Sequence, residues 1–165
     1  MGKVSKVKKA VLRLILLVLV VVVVIFNPVS VRLLTLGTAI YYNLDPIRFY
    51  RLISAESSFR SFAVSRQQAI GLGQVKEGTA GYVNADHKRG WLFFPVYNLK
   101  ISARYVKYLL GRYNQNWSLT LAAYNWGETN VDKRIKGISI GSKTDYSFLF
   151  DDIPETRNFI FKILK

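Results

Sequence analysis

Glu56 stands at the end of an apolar run, in the segment Ala55-Glu56-Ser57-Ser58-Phe59. A carboxyl group held against apolar and aromatic neighbours has its charged form disfavoured, and its pKa rises toward the value a general acid needs. The plain alternative is a solvated glutamate at a helix end, the usual situation of that residue. Other chemistries lack their residues. The chain of 165 residues has no cysteine, which excludes a disulfide framework, thiolate zinc or Fe–S sites, thiol catalysis and a lipid-modified N-terminal cysteine. One histidine, His87, excludes a poly-His metal site and weighs against a Ser-His-Asp triad. Carboxylate chemistry remains.

The elements that must position Glu56 are mostly helical. Asp45-Pro46 is a helix start, an N-cap acid followed by proline at the first helical position. Ile47, Tyr50 and Ile53 or Ser54 then recur at helical spacing, which predicts a helix to about Ser57. A polar loop with Gly71 and Gly73 follows. Asn98 to Arg112 carries Leu99, Ala103, Val106 and Leu110 on one face and Lys100, Arg104 and Lys107 on the others, an amphipathic helix closed near Gly111. Trp117 to Trp126 is nearly all apolar and ends at Gly127, so it reads as a central helix with a glycine C-cap. A short helix is expected over Asn130–Lys136 and a final amphipathic one over Pro154–Leu164.

The N-terminus is of a different kind. From Leu14 to Phe26 run 13 consecutive apolar residues, preceded by Lys3, Lys6, Lys8, Lys9 and Arg13 with no acid. This is the pattern of a signal peptide or a signal anchor. Extended back to Ala10, with Arg13 snorkelling, the stretch has 17 residues, the lower limit for crossing a bilayer. No small-x-small cleavage site follows in Ile25-Phe26-Asn27-Pro28-Val29-Ser30, which favours a retained anchor with the N-terminus in the cytoplasm and the rest outside. The expected division is therefore 1–34, basic N-terminus and anchor or signal, and 35–165, one globular domain. The latter, about 130 residues, is long enough for one real core. With 14% aromatic and 50% apolar residues, disorder is excluded.

Glu56 is followed in order by Ser65, by Gly71-Leu72-Gly73-Gln74, by Ala123-Tyr124-Asn125-Trp126-Gly127 and by Ile153-Pro154-Glu155-Thr156-Arg157. This set resembles the catalytic domain of the soluble lytic transglycosylases, relatives of goose-type lysozyme that cleave bacterial cell-wall glycan. The resemblance covers residues 45–165. It implies a mainly α, lysozyme-like fold behind one N-terminal transmembrane or signal helix, and it calls for no cofactor and no metal. It makes Glu56 the single catalytic acid/base. Ser65 and Gln74 would line the sugar groove, Tyr124 and Asn125 would face the acid, and Glu155 would stand beside the groove.

Such an enzyme protonates the glycosidic oxygen after N-acetylmuramic acid with one carboxylic acid, and the sugar's own 6-hydroxyl then closes onto C1. Because the substrate supplies the nucleophile, no protein base is needed to activate water, unlike the two-carboxylate glycosidases. Between Ser57 and Lys76 there is no Asp or Glu, although Asp86, Glu128, Asp132 and Glu155 could fold nearby. A hydrolytic muramidase of the same fold and a non-catalytic peptidoglycan-binding module are the alternatives.

Each helper also has a structural reading. Ser65 suits a turn, Gln74 a loop amide, Tyr124 a core position with its hydroxyl on a partner, and Asn125 helix termination. Glu155 suits the first turn of a helix. As catalytic helper, Tyr124 would orient the Glu56 carboxyl. Three positions depart from the family: Gly73 replaces a usual methionine, Trp126 a small residue, and the helix after Asn98 lacks a glycine usual near Ser102-Ala103.

Trp91, Phe93, Phe94 and Tyr97 cluster ahead of that helix, and Tyr105, Tyr108 and Tyr113 decorate it; core packing or sugar stacking would use them. Residues 35–165 carry net +8 of the total +14. That charge suits anionic wall polymers, stem-peptide carboxylates or lipid headgroups, and no base-reading motif points to nucleic acid. The expected partners are thus peptidoglycan strands and the cytoplasmic membrane, with the domain on its extracytoplasmic side, or secreted or periplasmic if the N-terminal segment is cleaved.

Overall fold

The structure, a computed structural model, describes residues 2–165, with side chains from Val7 onward. It contains α1 (Gly2–Phe26), α2 (Pro28–Tyr41), α3 (Pro46–Ser57), α4 (Glu77–Val83), α5 (Pro95–Arg112), α6 (Trp117–Trp126), α7 (Glu128–Arg134) and α8 (Pro154–Leu164). Two 3-10 turns, Arg89–Phe93 and Ser147–Phe150, complete the order. Among the described residues there is no β-strand, only isolated bridges joining Val64 to Ile70 and Ile70 to Val75. The mainly α fold expected from the sequence is the fold observed.

α1 is longer than the apolar run alone suggests, because its basic flank is helical too. The stretch Val7–Phe26, 20 residues, is apolar enough to cross a membrane, and none of it is buried within the protein. At about 1.5 Å per residue it spans roughly 30 Å, the thickness of a bilayer's hydrocarbon core. Asn27 then interrupts the helix with an extended backbone, and its Oδ1 accepts from the N–H groups of Val29 and Ser30. Pro28 follows at the first position of α2, a helix that the sequence reading passed over. The same device opens α3, where Asp45 Oδ1 accepts from the Ile47 and Arg48 N–H groups at 3.0 Å each. α2 lays Val31, Thr35 and Ala39 into the core at helical spacing.

α6 is the centre, with Leu119, Leu121, Ala122 and Ala123 fully buried. Asn116 caps it, accepting from the Leu119 N–H, and its Nδ2 donates to the carbonyls of Gly141 and Thr144, which pins the following loop. α5 starts at Pro95 rather than Asn98, since proline lacks only an N–H that the first turn would leave unpaired. α7 begins at Glu128 and ends at Arg134, not at 130 and 136. Gly127, at φ +96, redirects the chain, and Glu128 takes the first turn where its charge favours the helix dipole.

The segment between α3 and α4 has almost no regular structure and depends on Asn98 of α5. The Asn98 Nδ2 donates to the carbonyls of Ile70 (2.9 Å) and Leu92 (2.8 Å), and its Oδ1 accepts from the Gly73 N–H (2.8 Å). The residue is fully buried. Gly71, at φ +75, is required here, because a Cβ would collide with the Asn98 carboxamide and the Leu92 carbonyl. Truncation in Asn98→Ala strands two carbonyls and one N–H in the interior, at about 1–3 kcal/mol each. Urea unfolding of that variant should show a loss of about 3 kcal/mol or more, and a loss near zero would show that the loop stands without Asn98.

Candidate active site

A cavity of about 460 Å³ opens between the end of α3, the loop after it, α6 and the start of α8. Glu56, Ser65, Gln74, Tyr124, Asn125 and Glu155 all line it. Residues up to 99 positions apart in sequence thus converge on one hollow.

Glu56 sits in the last turn of α3, half-buried. Directly after that turn Ser58 and Phe59 both take left-handed backbone, at φ 53 and 62, a strain of about 1–3 kcal/mol for each non-glycine residue. The reversal drives Phe59 back onto Tyr50, ring centres 4.8 Å apart, under the Arg32 guanidinium. Burial, and secondarily the charge of Glu155, raise the Glu56 pKa from 4.5 to about 8. The carboxyl is therefore mostly protonated at neutral pH, the state in which it can donate a proton.

The helpers are held by the scaffold in different ways. Ser65 Oγ accepts from the Ala69 N–H at 3.0 Å, closing a turn. Gln74, at φ +45, donates from Nε2 to the carbonyls of Gly71 (2.9 Å) and Ala63 (3.3 Å). The Tyr124 hydroxyl donates to the Gly73 carbonyl at 2.7 Å, so the phenol is spent on the loop that Asn98 holds. Burial, then the charge of Glu56, raises its pKa, so carboxyl and phenol are neighbours without being hydrogen-bonded. Asn125 Oδ1 accepts from the Thr156 hydroxyl at 2.7 Å, which ties α6 to the start of α8. Glu155 is exposed in the first turn of α8.

Of the four carboxylates left open by the sequence, Glu155 alone lines the cavity beside Glu56. Asp132 is held by Arg112 and by the Tyr113 hydroxyl at 2.9 Å. His87 stacks on Tyr97, with Nδ1 3.1 Å from its hydroxyl.

Four polar lining residues went unrecognised in the sequence. Arg66, Gln67, Lys76 and Thr79 form a polar edge, with Lys76 Nζ donating to Gln67 Oε1 at 3.0 Å. Arg66, Gln67 and Lys76 lie within two residues of Ser65 or Gln74, their only signal, and Thr79 had none. Tyr105 contributes a wall, its ring 5.5 Å from that of Tyr124, and burial then the Glu128 charge push its pKa up to about 12. Trp126 lines the far side, with its ring capped by Arg134 and set edge-on to Phe150.

Gly73 and Ser102, the positions expected to depart from the family, meet in space. A Cβ on Gly73 would overlap Ser102 Oγ and lie 2.9 Å from both Ser102 Cβ and the Tyr124 hydroxyl. The serine of α5 fills the space beside residue 73, so the loop must carry glycine there.

A family model described as transglycosylase SLT domain matches residues 37–146. A curated relative, membrane-bound lytic murein transglycosylase C of Photorhabdus laumondii, is 30% identical over 107 residues, 56% of this chain and 30% of the relative. An inactive Glu-to-Gln mutant of the lytic transglycosylase Slt from Pseudomonas aeruginosa superposes with a TM-score of 0.68 at 27% identity, covering 79% of this chain and 22% of that one. The 70 kDa soluble lytic transglycosylase of Escherichia coli gives a TM-score of 0.63 at 23% identity over 73% of this chain and 21% of that one, a likeness of fold. The chain therefore spans less than a third of the length of these relatives.

Two outcomes follow from the site. Gly73→Ala should destabilise by about 1–3 kcal/mol through overpacking, and adding Ser102→Gly should recover part of that loss in a double-mutant cycle. Strict additivity would show that the two positions do not share space. For Glu56, unfolding releases a proton between pH 4.5 and about 8, so folded-state stability falls as pH rises through that window. Glu56→Gln removes this burden, and its melting temperature relative to wild type should climb from pH 5 to pH 8. A constant difference would place the Glu56 pKa near its ordinary value.

Proposed function

The chain belongs to the transglycosylase SLT domain family, and from that premise we propose that it is a peptidoglycan lytic transglycosylase. It cleaves the β-1,4 bond between N-acetylmuramic acid and N-acetylglucosamine and leaves a 1,6-anhydro end. The observation that carries this reading is a half-buried carboxyl with a pKa of about 8 at the floor of an open groove. The protonated Glu56 carboxyl gives its proton to the glycosidic oxygen as the C1–O bond breaks, and N-acetylglucosamine leaves as an alcohol. The resulting carboxylate takes the proton of the muramic 6-hydroxyl as that oxygen bonds to C1, which regenerates the acid. No water is consumed. That the inactive Pseudomonas aeruginosa relative carries a glutamate-to-glutamine change supports an essential carboxyl.

The other residues bind and shape. Gln74 and Ser65 line one bank, Asn125 and Trp126 the other, with Tyr124 and Tyr105 between them. Burial first, and the charge of Glu155 second, keep Glu56 protonated. The placement of Glu155 also supports a second reading, hydrolysis, in which Glu155 would activate a water. The proposed catalytic unit is 35–165, with Val31 of α2 packed into the same core. α1 is read as a retained anchor that holds this unit on the outer side of the cytoplasmic membrane, a reading supported by its length and by the membrane-bound relative.

The test incubates the full chain and its Glu56→Gln variant, both in mild detergent, with intact sacculi and reads soluble products by mass spectrometry. Fragments one water lighter than lysozyme products are expected, with release reduced about 10²–10⁴-fold in the variant. Hydrated fragments would move the assignment to hydrolysis and to Glu155. Sacculus binding without release by either protein would make the domain a glycan-binding module.

A further inference from the structure

The end of α1 does not hang free of the domain. Phe26, the last residue of the apolar stretch, stacks on Phe62 with ring centres 5.0 Å apart and planes at 11°. It also meets Phe94 at 6.4 Å, and Phe62 in turn stacks on Phe93. Phe62 is 66% exposed, Phe94 55% and Val64 51%. Large aromatic side chains gathered in the open beside one another mark a contact surface rather than scattered surface apolarity. A second hollow, about 480 Å³, lies between Phe26, Pro28, Phe59 and Phe62.

We propose that this aromatic patch is a bilayer-contact surface that seats the domain on the membrane its own anchor crosses; the inference rests on α1 being a retained anchor. The span fixes the level. A helix of 20 residues rises about 30 Å, the full hydrocarbon thickness, so Phe26 lies at the outer boundary of the acyl chains. Any side chain stacked on Phe26 lies within a ring's width of that boundary. Phe62 and Phe94 are thereby placed in the interfacial zone, where aromatic groups are at home. Charge agrees: residues 26–33, 59–64 and 91–97 contain no acid, while Arg32 and Arg60 are exposed beside the rings and can meet lipid phosphates. Burial of exposed rings in the interface works as it does for an interfacial helix, by apolar area plus attraction to anionic headgroups.

One consequence concerns the groove. Residues 59–64 form the patch and the adjoining hollow, while Ser65, Arg66 and Gln67 line the active-site cavity. The two surfaces share one short segment, so seating the patch holds the groove immediately above the lipid and favours glycan closest to the membrane.

The chain has no cysteine, so single Phe62→Cys, Phe94→Cys, Val18→Cys and Lys136→Cys variants of the full chain can each carry one fluorophore. All four positions are exposed on the protein surface. The variants are reconstituted in phosphatidylethanolamine–phosphatidylglycerol vesicles and quenched by brominated acyl chains or by aqueous iodide. Labels at 62 and 94 should be quenched by bromolipid and lose most of their iodide quenching, as at 18, while 136 shows the reverse. If 18 is embedded but 62 and 94 behave like 136, the domain stands off the bilayer and the contact is overturned with the anchor intact. If 18 is itself open to iodide, the anchor reading fails and the contact with it. Iodide protection at 62 and 94 that disappears on dilution with excess lipid would assign the patch to a second copy and overturn the proposal.

Discussion

A single buried carboxamide carries the weight of the groove. The loop from Ser65 to Lys76 has two isolated bridges in place of a sheet, and α5 holds it through Asn98. That side chain satisfies two carbonyls and one N–H in the interior. An unpaired buried group costs more than a hydrogen bond gains, so the arrangement is effectively all or none. Its consequence passes down the chain of contacts: with the Gly73 N–H fixed by Asn98, the Gly73 carbonyl is aimed at the Tyr124 hydroxyl. One bank of the groove is thereby fastened to both α5 and α6. Gln74 stands next in sequence, and its own carboxamide returns to the Gly71 carbonyl. The loop is held in place by polar groups that answer one another.

The acid is tuned by solvent exclusion more than by any hydrogen bond. With Tyr124 committed to Gly73, burial is the chief cause of the raised Glu56 pKa, and the Glu155 charge adds to it. The division suits the role proposed for Glu56, acid first and base afterwards. A strong hydrogen-bond donor to its carboxylate would lower the pKa and leave it deprotonated before the reaction began. A second charge at the exposed rim works in the opposite sense, and its distance from solvent can be altered by whatever occupies the groove. Thr156, next to Glu155, binds Asn125 and so registers that rim against α6.

The parts of this arrangement that were readable in the sequence are those written in local chemistry. The Asp45-Pro46 cap and the period of Ile47, Tyr50 and Ile53 located α3, and the apolar run closed by Gly127 located α6, to the residue. α2 is written in the same terms, since Asn27-Pro28 repeats the Asp45-Pro46 device, but the cap falls where a processing site would also lie, directly after a hydrophobic run. α4, only seven residues with two glycines, has no period to find. Asn98 was seen as a helix start and not as a staple, because its partners lie 6 to 28 residues away and nothing local announces them. The same holds for the fit of Gly73 against Ser102. Each looked like a separate departure until the structure put one side chain in the space of the other.

The segment directly after Glu56 shows why the strained backbone there is worth keeping. Two left-handed residues, Ser58 and Phe59, fold the chain back within a single turn. An ordinary helix C-cap would use glycine and release the chain into solvent. Here the cap residue is serine, the next is a phenylalanine clamped between Tyr50 and Arg32, and the chain is forced along the side of the domain that meets α1. From that point two requirements are met by consecutive residues. Phe62 reaches the end of the apolar helix, and three residues later Ser65 closes the turn that lines the groove. Relaxing Ser58 and Phe59 would move both at once. The groove wall at Ser65 and the Phe26–Phe62 contact are therefore set by the same few torsions.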